Sequence, residues 1–499
     1  MNIGLLSDFA ISATFPRLRF HRTVPISRTA ACPICLPSLV GWEKSRKKQA
    51  EDKTKNFMKL CRYLTFELRI LPKTPKNPML FVLTMFFSIV VLAGALIQAV
   101  PIMNLCRKVK QPHRTPISDD QCRPVAVVMS LRGGDPFLEE CLNRIIQQEY
   151  PDYEIVIALD NENDPAVPYV DRLNDAQHSP RLTKKIITER SKNCTLVNSN
   201  YARVVEEIDD RFEFVVFVDA DAVTWSGWLR ALIQPLIENE TIGASSGNRW
   251  YTPENGELGS LVRAFWNMGS VIQMAQFRFP WGGSLAIRTD IAKSDEMLQQ
   301  WRTSFSADAP VFNVVKRAGK KFFFNPHMLL LNSESTNLKT FSNWIPRQMI
   351  QGKLYHPKWM PVLIQGIIMA FVFLGALATN FTNLFLGKWV SFCVLGGALT
   401  FAWGITCLFF IVMNHVITRR HSELTREVRA DWLTVGNILR LPQVSLIALV
   451  VCVVALVKVL RIRRIEWRGI AYQIRKPFDI ELEEYKPFRQ PRADSQYSL

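Results

Sequence analysis

Residues 104–357 lack any surplus of charge: 29 Lys and Arg stand against 30 Asp and Glu. The whole chain of 499 residues carries a formal charge of +17, but the excess lies in the flanks, with 15 basic against 5 acidic residues in 1–78. A nucleic-acid binder concentrates basic residues on the domain that docks, so that class is excluded. Paired cysteines are also lacking. Ten cysteines are scattered along the chain, which fits a reduced compartment. Cys32 and Cys35 form one Cys-x-x-Cys, but no second such pair and no His pair follows at finger spacing, so no zinc site is expected there. Histidine is scarce, with seven in all, and His327, His356 and His415 stand alone. Long apolar runs contain no charged pair and no internal repeat, which argues against a transporter. Apolar residues themselves are plentiful. At 48% hydrophobic, the chain is no disordered polymer, and its length allows one to four domains.

The apolar residues cluster at the flanks of the neutral region. Met79–Val100 is 22 residues without a charge, bounded by Pro78 and Pro101. About 20 such residues span a bilayer. Three further candidates follow. Residues 361–378 are apolar apart from Gln365, 389–413 are uncharged, and 444–460 contain only Lys458, close enough to an end to snorkel. The expected organisation is a basic tail (1–78), a first span (79–100), a neutral domain (104–357), transmembrane or interfacial helices at 361–378, 389–413 and 444–460, and a C-terminal tail (461–499). Arg107, Lys108, Lys110 and Arg114 follow the first span, and Arg419, Arg420, Arg426 and Arg429 follow the third. The positive-inside rule therefore places the neutral domain on the cytoplasmic side. Four true spans would put both basic tails outside, so one C-terminal segment is read as a candidate for the interface. Trp359 and Tyr355 read as interfacial anchors, and Asn343–Trp359 as an amphipathic segment on the membrane surface. Segment 43–59 is a solvated charge run. The first apolar span begins too far along for a cleaved signal peptide. The stretch before it reads as an extension, or as sequence upstream of a true start at Met58.

The neutral region alternates strand and helix, an α/β pattern. Pro124–Ser130, Tyr153–Leu159 and Phe212–Val218 are short apolar runs that read as buried strands. Asp135–Gln148 opens with Asp-Pro and carries Leu138, Cys141, Leu142, Ile145 and Ile146 at helical spacing. Ser199–Glu207 reads as a helix, and Phe322–Phe324 as core strand. Two acidic clusters follow strands directly: Asp160-Asn-Glu-Asn-Asp164 and Asp219-Ala-Asp221. Ligands of parallel α/β sheets bind beyond the carboxyl ends of the strands. Hard cations such as Mg2+ or Mn2+ take carboxylate oxygens and share their site with substrate phosphates. Asp219 and Asp221 are therefore candidate metal ligands. The same two aspartates could instead cap the helix expected over Trp225–Ile237.

Ser130-Leu-Arg-Gly-Gly-Asp-Pro136, Gln147–Glu154 and Asp160-Asn-Glu-Asn-Asp-Pro-Ala166 resemble the opening blocks of the ceramide glucosyltransferase family, within glycosyltransferase families 2 and 21. Val218-Asp-Ala-Asp221 looks like its nucleotide-sugar metal motif. Trp281-Gly-Gly-Ser284 resembles the small-residue loop beneath the donor sugar, with Trp281, Gly282 and Gly283 at the donor and acceptor loop. Ser306-Ala-Asp308 with Val311–Ala318 looks like the loop and helix carrying the base. Glu466-Trp-Arg-Gly-Ile-Ala-Tyr472 is similar to a juxtamembrane signature. The resemblance covers about residues 80–475. It implies a GT-A fold, which is Rossmann-like, and an inverting transfer from a UDP-sugar. By it, Asp160 or Asp164 contacts uracil, Arg132 lies near the nucleotide, and Asp219 and Asp221 hold Mg2+ or Mn2+. Asp308 is the general base, Arg347 meets the leaving diphosphate, and Trp344 and Gln348 lie at the acceptor. Asp308 could also serve as the N-cap of the helix after it.

Departures from the family pattern narrow the reading. Arg347 matches the first Arg of Gln/Arg-x-x-Arg-Trp, but Ile350 and Gln351 replace the second Arg and the Trp. Processive synthases hold their growing chain on that Trp, so a polysaccharide synthase is the weaker alternative. Leu196 replaces a family lysine, and Ala307 replaces the acidic neighbour of the base. These changes argue against assigning ceramide itself as acceptor. The expected function is transfer of a hexose, glucose by the resemblance, from a UDP-sugar to a membrane lipid. The rival from another class is a membrane sensor or scaffold that binds a nucleotide-sugar without turnover.

Overall fold

The computed structural model describes residues 77–112, 114–175, 180–254, 256–356, 358–425 and 432–488. The Cys32–Cys35 pair, the 43–59 charge run and the basic tail lie outside them.

The chain enters as helix α1 (Pro78–Lys110). Pro101 sits inside it, where it removes one backbone hydrogen bond without ending the helix. The neutral region then alternates β1 (Val125–Leu131), α2 (Leu138–Ile146), β2 (Tyr153–Leu159), α3 (Val167–Asp175), β3 (Leu182–Ile186), α4 (Leu196–Glu207) and β4 (Phe214–Val218). There follow α5 (Trp228–Glu238), β5 (Ile242–Tyr251), α6 (Leu258–Phe277), β6 (Ser284–Arg288), α7 (Thr289–Ala292), α8 (Asp295–Thr303), α9 (Val311–Arg317) and β7 (Lys321–Asn332). Seven strands form one sheet in the order β3-β2-β1-β4-β6-β5-β7. β3, β2, β1 and β4 are mutually parallel, with Val125 opposite both Tyr153 and Phe214. β6 runs antiparallel between β4 and β5. The expected α/β class, with a largely parallel Rossmann-like sheet, is therefore what the chain forms.

The continuous apolar runs follow from burial on both faces. Val125, Val127, Met129 and Leu131 enter one core, with Leu138, Leu142 and Trp228. Ala126 and Val128 enter the opposite core, with Tyr201, Phe217 and Trp301.

Helix α10 (Leu338–Tyr355) leads to α11 (Trp359–Phe385), α12 (Trp389–Thr425) and α13 (Val435–Arg461). Four helices, α1, α11, α12 and α13, are long and apolar enough to cross a membrane among the described residues. α12 does not stop at 413. Its last turns run past the apolar stretch and pack on the sheet, and Asn414 Oδ1 accepts indole N–H groups from Trp250 at 3.0 Å and Trp432 at 3.1 Å.

Both ends of α13 are tied to the α/β unit. Arg440 donates to the Gly256 carbonyl at 2.6 Å. Lys353 on α10 donates to the Val459 and Leu460 carbonyls at 2.8 and 3.3 Å. Residues 464–485, read above as part of a tail, form a three-stranded antiparallel sheet: β8 (Arg464–Trp467), β9 (Ile470–Lys476) and β10 (Asp479–Tyr485). It docks on the same unit, where the Tyr472 hydroxyl accepts Leu196 N–H at 3.1 Å. The β8–β9 turn has Arg468 and Gly469 at φ 47° and 77°, as a two-residue hairpin turn requires.

Asn414→Leu leaves two buried indole N–H groups unpaired, at about 1–3 kcal/mol each. Thermal unfolding in detergent, followed by tryptophan fluorescence, is expected to show a clear drop in Tm.

Candidate active site

A cleft of about 260 Å³ opens at the carboxyl ends of β1 and β4, and Asp219, Asp221, Arg249, Trp281, Asp308, Arg347 and Arg468 line it. Asp219 and Asp221 follow β4 directly. They do not cap α5, whose N-cap is Gly227. Both carboxylates face Arg249 of β5, whose guanidinium donates to Asp219 Oδ2 at 3.2 Å and Asp221 Oδ2 at 2.8 Å. Asn332 donates to Asp221 Oδ2 at 3.3 Å. Burial and the charges of Asp221, Asp308 and Asp135 push Asp219 up to about 7, against the pull of Arg249. A guanidinium already drawn between the two carboxylates shows that the pair holds positive charge. Among the described residues no cluster of three or more His, Cys, Asp or Glu could by itself hold a metal. Two oxygen donors suit Mg2+ or Mn2+, which bind through one or two carboxylates and complete their shell with water and substrate phosphate.

Asp308 lines the same cleft, in the loop before α9. Its side chain does not cap that helix, because its Oδ2 accepts Gly282 N–H at 2.8 Å and its Oδ1 lies 2.6 Å from the Ser306 hydroxyl. The Trp281–Ser284 loop must stay small to allow this. A Cβ on Gly283 would sit 2.2 Å from the Trp281 ring and 2.6 Å from Asp219 Oδ2. Ser246 braces the loop, accepting Trp281 N–H and donating to its carbonyl, both at 3.0 Å.

Helix α10 supplies Trp344, Arg347, Gln348 and Gln351 to one wall. Arg347 stacks on Trp467, 5.4 Å from the ring centroid, and Arg468 stacks on the same ring at 5.3 Å. Burial and the positive charges of Arg468 and Arg249 lower Arg347 to about 10. Three guanidiniums converging beside a carboxylate pair make a site for an anion bound through a cation.

Asp160 and Asp164 lie behind the cleft and do not line it. Asp160 is fully buried, pairs with Arg132, and accepts the Tyr485 hydroxyl at 2.7 Å. Asp164 Oδ1 accepts Gly133 and Ala166 N–H groups, each at 2.8 Å, and burial raises its pKa. Arg132 does line the cleft. It donates to the Arg468 carbonyl from Nε and Nη2 at 3.0 and 2.9 Å, while Arg468 donates back to the Arg132 carbonyl and to Asp135. Burial pushes Asp135 up to about 6, with Arg468 opposing.

The structure thus brings together Arg132, Asp219, Asp221, Trp281, Gly282, Asp308, Trp344, Arg347 and Gln348. Sequence reasoning missed Arg249, Ser306 and the Trp467–Arg468 turn as cleft residues. For Arg249 the available signal was a lone charge inside the run Ile242–Tyr251.

The family model described as glycosyl transferase family 21 matches residues 85–478. A ceramide glucosyltransferase of Komagataella phaffii is 32% identical over 73 residues, which are 15% of this chain and 14% of that protein. The chain therefore matches about one seventh of that relative's length. Among solved structures, a mannosyltransferase from Pyrobaculum calidifontis in complex with GDP-Man and Mn2+ is 17% identical, covering 76% of this chain and 99% of its own, with a TM-score of 0.42. Glucosyl-3-phosphoglycerate synthase from Mycobacterium tuberculosis, in complex with Mn2+, UDP and glucosyl-3-phosphoglycerate, is 12% identical, covering 48% and 86% respectively, with a TM-score of 0.30.

Gly283→Ala forces the Trp281 ring and Asp219 apart. Overpacking a filled site in this way is expected to cost about 1–3 kcal/mol. Thermal unfolding of wild type and variant in detergent is expected to show the lower Tm.

Proposed function

The chain belongs to glycosyl transferase family 21, and from that premise we propose that it is an inverting hexosyltransferase. It would take a sugar, glucose by the resemblance, from a UDP-sugar and place it on a hydroxyl of a membrane lipid. The observation that carries this reading is that one cleft is lined by Asp308, the Asp219–Asp221 pair, Arg249, Arg347 and Arg468.

The chemistry follows from that grouping. An acceptor hydroxyl between the sugar and Asp308 loses its proton to the carboxylate as its oxygen attacks the anomeric carbon. The bond from that carbon to the diphosphate oxygen breaks on the far face, so the configuration inverts. Bound at Asp219 and Asp221, Mg2+ or Mn2+ would supply positive charge to the diphosphate. Arg347 and Arg468 stabilise the same developing charge from the α10 side. Arg132 faces the nucleotide. Asp160 and Asp164, already engaged, hold the Arg132–Gly133 loop in place. Trp281, Gly282, Trp344 and Gln348 shape the space for sugar and acceptor.

The acceptor class follows from the apolar helices that flank the α/β unit. Phe81, Phe86, Phe371, Phe381 and Phe401 are exposed on α1, α11 and α12, as side chains facing lipid are. We read α1, α11 and α12 as spans, with Arg107, Lys108 and Lys110 on the cytoplasmic side together with the catalytic unit. α13, about 40 Å long at 1.5 Å per residue, has both ends on that unit. Its Leu441, Val444, Ala448 and Ala455 are buried, while Leu439, Leu446, Val450, Val454 and Val457 are exposed. That arrangement suits a helix held against the unit on one side with lipid on the other. It leaves the C-terminal sheet on the catalytic side.

Two measurements test the proposal. Purified protein in detergent with total lipid extract is expected to release UDP from one of a panel of UDP-sugars, and EDTA stops it. Asp308→Asn and Asp221→Asn are expected to lose about 10²–10⁴-fold in kcat. Undiminished turnover in Asp308→Asn rejects Asp308 as base. For the topology, single cysteines placed at Lys476 and at Glu162 are expected to react with an impermeant thiol reagent from the same side of sealed vesicles. Labelling from opposite sides would mean that α13 crosses.

A further inference from the structure

Ser306 is buried, and its hydroxyl stands between two acceptors. Asp308 Oδ1 is 2.6 Å away and Gln351 Oε1 is 3.0 Å away. One hydroxyl proton cannot serve both at once. The residue cannot drift toward either partner, because its own backbone is held. The Ser306 carbonyl accepts Asn198 Nδ2–H at 3.2 Å and the Ser304 hydroxyl at 2.9 Å. Its Oγ accepts Ala309 N–H at 3.3 Å. Gln351 lines the cleft with Asp308 at the position where the related pattern has Trp. An indole has no acceptor, so the second partner of Ser306 exists because this residue is Gln.

We propose that Ser306 and Gln351 are positioning residues for the transfer: the Ser306 hydroxyl fixes the ionised Asp308 carboxylate, then turns to Gln351 once Asp308 has taken the acceptor's proton. The proposal rests on Asp308 being the base. While ionised, Asp308 attracts the Ser306 proton more strongly than a neutral amide does, since charge-assisted bonds are about twice as strong. Gly282 N–H at Oδ2 and Ser306 at Oδ1 then prevent the carboxylate from rotating. Each oxygen keeps a second lone pair for the incoming proton. As the acceptor proton moves to Asp308, its oxygen bonds the anomeric carbon and the diphosphate leaves with the electron pair of the broken bond. The neutral acid holds the Ser306 O–H less strongly than the carboxylate did, and Gln351 Oε1 then accepts that hydrogen bond. The buried hydroxyl is thus satisfied before and after the proton moves, with no water required.

The test is steady-state kinetics of the full-length protein in lipid–detergent micelles, using whichever UDP-sugar wild type turns over. Ser306→Ala is expected to lower kcat about 10- to 100-fold, the cost of a misaligned reacting group, with the donor KM within about twofold. Ser306→Thr, which keeps the hydroxyl, restores most of the rate. Gln351→Ala has a smaller effect on kcat, and Ser306→Ala/Gln351→Ala is no slower than Ser306→Ala, because Gln351 acts through Ser306. Wild-type kcat in Ser306→Ala, a loss that Thr does not relieve, or additive losses in the double variant would each overturn the proposal. If Ser306→Ala fails to fold, wild-type kcat in Gln351→Ala overturns it alone. An active Asp308→Asn instead sinks the reading of the base itself, which separates the two failures.

Discussion

Negative charge gathered at one cleft is the constraint from which the rest of this structure follows. Burial and the neighbouring carboxylates raise the proton affinity of Asp219, which faces the charges of Asp221, Asp308 and Asp135, and of Asp135, which faces that of Asp221. Left alone they would repel, and burial would make that worse. The fold answers with guanidiniums drawn from distant parts of the chain: Arg249 of the sheet pairs with Asp219 and Asp221, and Arg468 of the C-terminal turn pairs with Asp135. Removing either would leave its carboxylates unpaired, which is more costly than losing an apolar contact.

That balance explains why the C-terminal sheet belongs to the catalytic unit. Arg132 and Arg468 each donate to the other's carbonyl, so the β8–β9 turn is locked to the end of β1. Tyr485 reaches Asp160 from the far strand of the same sheet. The geometry of the membrane helices is then constrained as well. The ties at Arg440 and Lys353 hold α13 along the α/β unit.

The individual site residues divide by how local their role is. Asp219 and Asp221 were legible as cleft residues because they follow a run of strand residues directly, and strand ends are where α/β sheets bind ligands. Asp308, which lines the same cleft, was singled out only through the family resemblance. Asp160 and Asp164 carried the same acidic signal, yet they turn inward to Arg132 and to the Gly133 amide. Nothing in a linear pattern separates a carboxylate facing a ligand from one satisfied by its own backbone. Gln351 looked like a loss, the missing Trp of a motif, until its amide was found beside Ser306.

Periodicity and composition were enough for the alternation of strands and helices, the apolar helices and the neutral catalytic region, because burial on one or both faces leaves a mark on every residue of an element. Boundaries moved where tertiary contacts extend an element past its pattern, as when α12 continues to Thr425 to bring Asn414 between two indoles. The antiparallel insertion of β6, the docking of residues 464–485 and the meeting of Arg249, Arg347 and Arg468 in one cleft with Asp219 and Asp221 were decided only in three dimensions. Those features depend on pairings between residues tens to hundreds of positions apart. Their energies arise from mutual distance and exclusion of water, which no local stretch of sequence records.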